Sequence, residues 1–74
     1  MQSLEPYTSY NEYWGVKTHD SLQSAIRYFE SNNPVKNVKV KNRSVAGWYG
    51  ERWEVYGESL TYGTEVYLGV IDKD

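Results

Sequence analysis

His19 is the only histidine of the chain and the only side chain whose ordinary pKa lies near neutrality, and Asp20 follows it directly. A carboxylate next to an imidazole can orient a general base. The plainer reading is stronger, because Asp20 is well placed to cap a helix and the positive end of a helix dipole disfavours a protonated histidine. Serines are plentiful, but none stands in a Gly-x-Ser-x-Gly elbow. Glu51 and Glu54 project to opposite faces of an extended strand, so they cannot share a proton or a metal ion. With no cysteine there is neither a thiolate metal site nor a disulfide framework. The expectation is a protein that is not an enzyme and holds no cofactor or metal.

The residue types that stand out suit recognition instead. The chain carries eight tyrosines, three tryptophans and one phenylalanine in 74 residues, more ring surface than one small core can enclose. A domain of this size buries only about 60% of its unfolded surface, so some rings must face water. Tyrosine and tryptophan combine a rigid apolar body with a polar tip, the raw material of a binding face. The net charge is −2, but it is unevenly spread. Lys36, Lys39, Lys41 and Arg43 form a positive strip without an acid, and the stretch after it holds Glu51, Glu54, Glu58, Glu65, Asp72 and Asp74 against Arg52 and Lys73. Two such stretches can complement each other on neighbouring strands.

These groups must be held by a few elements. Leu22, Ala25, Ile26 and Phe29 recur at helical spacing, which predicts one amphipathic helix over 20 to 33. Asp20 is its expected N-cap, with Gln23 completing a capping box, and Asn32-Asn33-Pro34 its stop. Arg27 and Tyr28 fall off the apolar stripe. Elsewhere the period is two. Val38 and Val40 alternate with Lys39 and Lys41; Trp53 and Val55 with Arg52, Glu54 and Tyr56; Val66, Leu68 and Val70 with Glu65, Tyr67, Gly69 and Ile71. A further strand is expected at about 10 to 18, with Trp14 and Val16 inward and Tyr13 and Lys17 outward. Gly57-Glu58-Ser59 and Tyr62-Gly63-Thr64 bracket the turn of an antiparallel hairpin. Trp48 and Tyr49, between two glycines, cannot be assigned a face.

The pattern predicts a single α+β domain over 1 to 74, frayed over 1 to 6: two layers, one amphipathic helix on a mainly antiparallel sheet of about four strands in the order β-α-β-β-β. Its core is expected to hold Trp14, Leu22, Ile26, Phe29, Val38, Val40, Trp53, Val55, Val66, Leu68 and Val70. The sheet face away from the helix is then the candidate partner-binding surface, carrying Tyr13, Lys39, Lys41, Arg52, Glu54, Tyr56, Glu65 and Tyr67, with Lys17 and Ile71 beside them. Size and acidic composition suit a small inhibitor or adaptor of the kind phages and other mobile elements direct at host nucleases or defence complexes. The alternative is single-stranded nucleic-acid binding, with Tyr13, Tyr56 and Tyr67 stacking bases while Lys17, Lys39, Lys41, Arg43 and Arg52 neutralise phosphates. The negative total charge, and Glu54 and Glu65 on the same face, weigh against it. An uncovered sheet edge leaves room for a homodimer. No leader and no run approaching the ~20 apolar residues of a membrane span is expected, so the protein is read as soluble and cytoplasmic. The Asn42-Arg43-Ser44 triplet matches a glycosylation acceptor without other signs of secretion.

Overall fold

A computed structural model describes residues 4 to 43 and 50 to 73. Trp48, Tyr49 and the last residue of the Asn42-Arg43-Ser44 triplet lie outside the described residues. The strands are β1 (Tyr7–Asn11), β2 (Gly15–His19), β3 (Val35–Asn42), β4 (Glu51–Ser59) and β5 (Glu65–Lys73), with one helix, α1 (Leu22–Asn32), between β2 and β3. The strands make one antiparallel sheet in the order β2-β1-β5-β4-β3, with α1 packed across one face. The architecture is the expected α+β one, with five strands where about four were predicted and with two, not one, preceding the helix.

The helix forms where the apolar stripe lies. Ala25 and Phe29 are fully buried, and Leu22 and Ile26 pack beside them. Its cap is Ser21 and not Asp20: the Ser24 backbone N–H donates to Ser21 Oγ at 3.1 Å, and Asp20 stays exposed. At the other end Asn33 is extended and closes the helix, its side-chain amide donating to the Phe29 carbonyl at 2.9 Å.

The segment at 10 to 18 is a hairpin and not one strand. Asn11 Oδ1 accepts from the Tyr13 N–H, and Gly15 takes a positive φ of 84°, so the chain reverses between them. The reversal resets the alternation. Ser9, Asn11 and His19 point to the helix side, Lys17 sits over the Tyr28 ring of α1, and Val16 points away. Trp14, expected in the core, stands in the turn and is 63% exposed.

A second correction comes from β5. Val55 pairs with Gly69, yet Tyr56 pairs with Tyr67, so Leu68 is an extra residue on β5. This bulge shifts the alternation by one. Leu68 and Ile71 are both buried, whereas Val70 lies opposite Glu54 and Tyr10 on the face away from the helix. Ile71 therefore replaces Val70 in the core. Gly69 makes this fit possible, since its φ of 150° suits glycine and a Cβ there would overlap the Tyr10 carbonyl oxygen.

The remaining core follows the predicted pattern. Val55 and Leu68 are buried, Val38, Val40, Trp53 and Val66 pack against them, and Val35 and Tyr7 join from positions the alternation did not single out. β4 runs through Gly57-Glu58-Ser59, which was expected to turn. The reversal comes after it, where Ser59 Oγ accepts from the N–H groups of Thr61 and Tyr62.

Candidate functional site

The sheet face opposite α1 is covered by none of the described elements. Because side chains alternate along a strand, the positions between the core residues of β4 project there: Arg52, Glu54, Tyr56 and Glu58. The cross-strand register adds rows. One runs Val16, Tyr10, Val70, Glu54, Lys41 across all five strands; a second holds Tyr67, Tyr56 and Lys39; a third holds Thr18, Thr8, Asp72 and Arg52.

Seven of the eight predicted surface residues lie on this face, six of them, Lys39, Lys41, Arg52, Glu54, Tyr56 and Tyr67, grouped together. The Tyr56 and Tyr67 rings pack edge to face with centroids 5.7 Å apart, and Lys41 Nζ lies 5.4 Å from the centre of the Tyr56 ring. The Tyr56 hydroxyl donates to Glu54 Oε1 at 3.3 Å. Glu65 shares the face at its end, opposite Glu58. Tyr13 does not: it sits in the β1–β2 turn, where it helps to line a groove at the end of the molecule. Lys17 and Ile71, expected beside these residues, lie on the helix side for the reasons given above.

Three apolar members of the face were missed, along with Thr8, Thr18, Glu58 and Asp72. Tyr10, Val16 and Val70 form an apolar stripe beside the tyrosine pair, and Tyr10 is 42% exposed. The signals were present as Asn11 and Gly15 flanking a short segment, and as Gly69 isolated inside a strand, a common mark of a bulge.

The two arginines at this face are paired with carboxylates of the chain. Arg52 grips Asp72 with two bonds, Nε to Oδ1 at 2.6 Å and Nη2 to Oδ2 at 2.8 Å. Arg43 Nε reaches Glu54 Oε1 at 2.6 Å. The hydrogen bond from Arg43 holds the Glu54 carboxyl below its ordinary pKa. Burial, then the negative charge of Glu54, pushes the Tyr56 hydroxyl up; burial, then the charge of Glu12, does the same to Tyr67. Both hydroxyls therefore stay protonated at neutral pH; the Tyr56 proton is directed to Glu54, and the Tyr67 hydroxyl can donate to a partner.

His19 has a different setting. It is buried, and Ser9, also buried, lies 2.9 Å from its Nε2. The Ser9 hydroxyl also lies 3.2 Å from the Lys17 carbonyl, so its one proton has two acceptors within reach. Burial, then the charge of Lys17, lowers the His19 pKa, and the ring packs 5.2 Å from Tyr28. The arrangement suits a neutral structural histidine. Among the described residues no cluster of histidine, aspartate and glutamate could hold a metal ion, and no helix is long and apolar enough to cross a membrane.

Comparison with protein-family models, curated proteins and solved structures finds no match to this chain.

Proposed function

We propose that this chain is a non-enzymatic protein-binding module that engages its partner with the open sheet face. The observation that carries the reading is the Tyr56–Tyr67 pair, flanked by Tyr10, Val16 and Val70, on a face that no described element covers. A patch of rings and aliphatics on a rigid sheet, rimmed by arginine and carboxylate pairs, has the composition of an interface: aromatic at the centre, polar at the edge. The side chains are already held in place, which lowers the entropy cost of docking.

Size and acidic character support an inhibitor or adaptor, of the kind mobile elements use against host nucleases or defence complexes. Such a protein needs no catalytic group, only a firm surface. Nucleic acid is the less favoured partner, since Arg43 and Arg52 are engaged with carboxylates and Lys41 covers the Tyr56 ring that a base would need.

The test is affinity purification from the organism that encodes the chain, comparing the natural protein with a Tyr56→Ala, Tyr67→Ala double variant. The variant is expected to keep its circular dichroism spectrum and lose the partner. Recovery of the same partner in equal amount by the folded variant rules out this face. Size-exclusion chromatography of the natural protein alone shows whether the partner is a second copy.

A further inference from the structure

The end of the sheet where α1 finishes carries an apolar groove of about 450 Å³, bordering the open face at Tyr67. Its origin is a mismatch of strand lengths. β1 pairs with β5 only as far as Asn11 opposite Gly69, so residues 65 to 68 run on past the β1–β2 turn with a strand on one side only. The Glu12 N–H, donating to the Leu68 carbonyl, ties that turn to the overhang. A recess remains between the two turns and the end of α1, lined by Pro34, Val66 and Leu68.

The same end also bears knobs. Of the eight large hydrophobic side chains that stand exposed among the described residues, four lie on these two turns: Tyr13 and Trp14 at 74% and 63%, Leu60 and Tyr62 at 61% and 80%. The three rings all border the recess, and the Leu60 N–H is bonded to the Pro34 carbonyl. Singly exposed apolar residues need no explanation, but a group of them gathered round a recess marks a contact surface. At about 150 to 250 Å² for a whole ring, these four side chains present on the order of 500 Å² from one copy and about 1,000 Å² from two, the size at which a specific interface becomes stable.

The described residues lining the groove are all uncharged. Glu65 projects with its cross-strand partner Glu58 onto the open face, and the charge of Glu12 is felt at the Tyr67 hydroxyl there. The last carbonyls of α1 are met as well, that of Tyr28 by the Asn32 amide and that of Phe29 by the Asn33 amide, both at 2.9 Å. An ionic partner has nothing to pair with in this recess. A two-fold contact sets a surface against its own copy, where like charges repel. The β3 edge would bring Lys36, Lys39 and Lys41 together in this way, whereas the groove end meets its copy without that cost. Knobs and a recess on one neutral surface are the elements of a self-complementary contact.

We infer that two copies of this chain join end to end about a two-fold axis, the rings on the turns of each packing into the groove of the other. Burial of rings and aliphatic lining drives the association. Tyr56 and the row from Tyr10 to Val70 stay free on both copies, so the dimer presents the proposed binding face twice. Only this last consequence rests on the open-face reading.

The test is sedimentation equilibrium of the purified full chain from about 10 μM to about 1 mM. An interface at the lower end of the stable size range predicts a dimer with a Kd between about 10 and 100 μM. Trp14→Ser and Tyr62→Ser should each raise that Kd about tenfold or more, while Tyr56→Ala, which weakens a self-contact through the open face, should leave it unchanged. Trp14 and Tyr62 stand outside the core, and circular dichroism checks that the variants stay folded. Because the surface is neutral, the Kd should not rise between about 50 and 500 mM sodium chloride. In the natural protein, isotope-filtered NOEs from an equimolar mixture of labelled and unlabelled chains should join the Trp14 indole of one copy to Pro34 or Tyr62 of the other. The proposal is overturned by a monomer at about 1 mM, by an unchanged Kd in both folded serine variants, by a dimer that salt dissociates, or by NOEs that instead join the β2 edge at Val16 or the open face at Tyr56.

Discussion

At His19 a titratable group is enclosed in its neutral form. Its pKa is held below the ordinary 6.5 by burial and by Lys17, so the unfolded chain takes up a proton at higher pH than the folded one. Stability from this group is complete above about pH 6.5 and is lost as pH falls through the lower, folded value. Thermal melts followed by circular dichroism should be level between about pH 7 and 8 and decline toward about pH 5, before most carboxylates titrate. A His19→Gln variant should lose that decline; an unchanged slope in the variant would remove His19 as its source. Gly69 is the other position where one residue decides a structural outcome. Gly69→Ala places a Cβ against the Tyr10 carbonyl and should cost about 3 kcal/mol or more. In a domain of this size that is a drop of more than about 10 °C in Tm, measurable by the same melts.

At the scale of elements, the helix is tied down by one side-chain cap and one apolar stripe. Ser21→Ala removes the acceptor for the Ser24 N–H and should destabilise by about 1 kcal/mol, whereas Asp20→Ala should change stability by less than about half of that. Urea denaturation of the two variants distinguishes the caps. The two edges of the sheet are unlike. β3 places Lys36, Lys39 and Lys41 along its length and bulges where Asn37 takes a φ of 52°, both features that discourage a further strand from pairing there. β2 is shorter and exposes Val16 beside Tyr10. The bulge in β5 also has a consequence beyond its own strand: by exchanging Val70 for Ile71 it completes the core and adds an aliphatic group to the stripe between Tyr10 and Glu54.

For the molecule as a whole, stability comes from one small core, since no cysteine can cross-link the chain. Phe29 lies fully buried at its centre with Val55 and Ile71. Phe29→Ala should cost about 3 to 5 kcal/mol, close to the total stability of a domain this small, and leave the chain largely unfolded at 37 °C as judged by circular dichroism. Charge is balanced mostly inside the molecule: the positive strip on β3 meets Glu54 and Glu58 on β4, and Arg52 meets Asp72. With Arg43 and Arg52 paired and a net charge of −2, a single-stranded oligonucleotide should give no mobility shift even at low salt. A salt-sensitive shift abolished by Lys39→Glu, Lys41→Glu would revive the nucleic-acid alternative. Much of this was legible in the residues. The stripe of Leu22, Ala25, Ile26 and Phe29 implied the helix, and the alternation through Val38–Lys41 and Trp53–Tyr56 implied strands with one wet face, because each pattern is set by the local repeat of the backbone. That Tyr56 and Tyr67 share a face follows from the same local rule. The local repeat cannot decide where it is interrupted. The turn at residues 12 to 14 and the extra residue at Leu68 each shift the alternation by one, and both depend on pairing with strands distant in sequence. Only tertiary structure could therefore exchange Val70 for Ile71, release Trp14 and Tyr13 to the end groove, and bring Tyr10 and Val16 beside the tyrosine pair. A side chain's period is a property of its own segment; its phase belongs to the neighbours against which that segment is aligned.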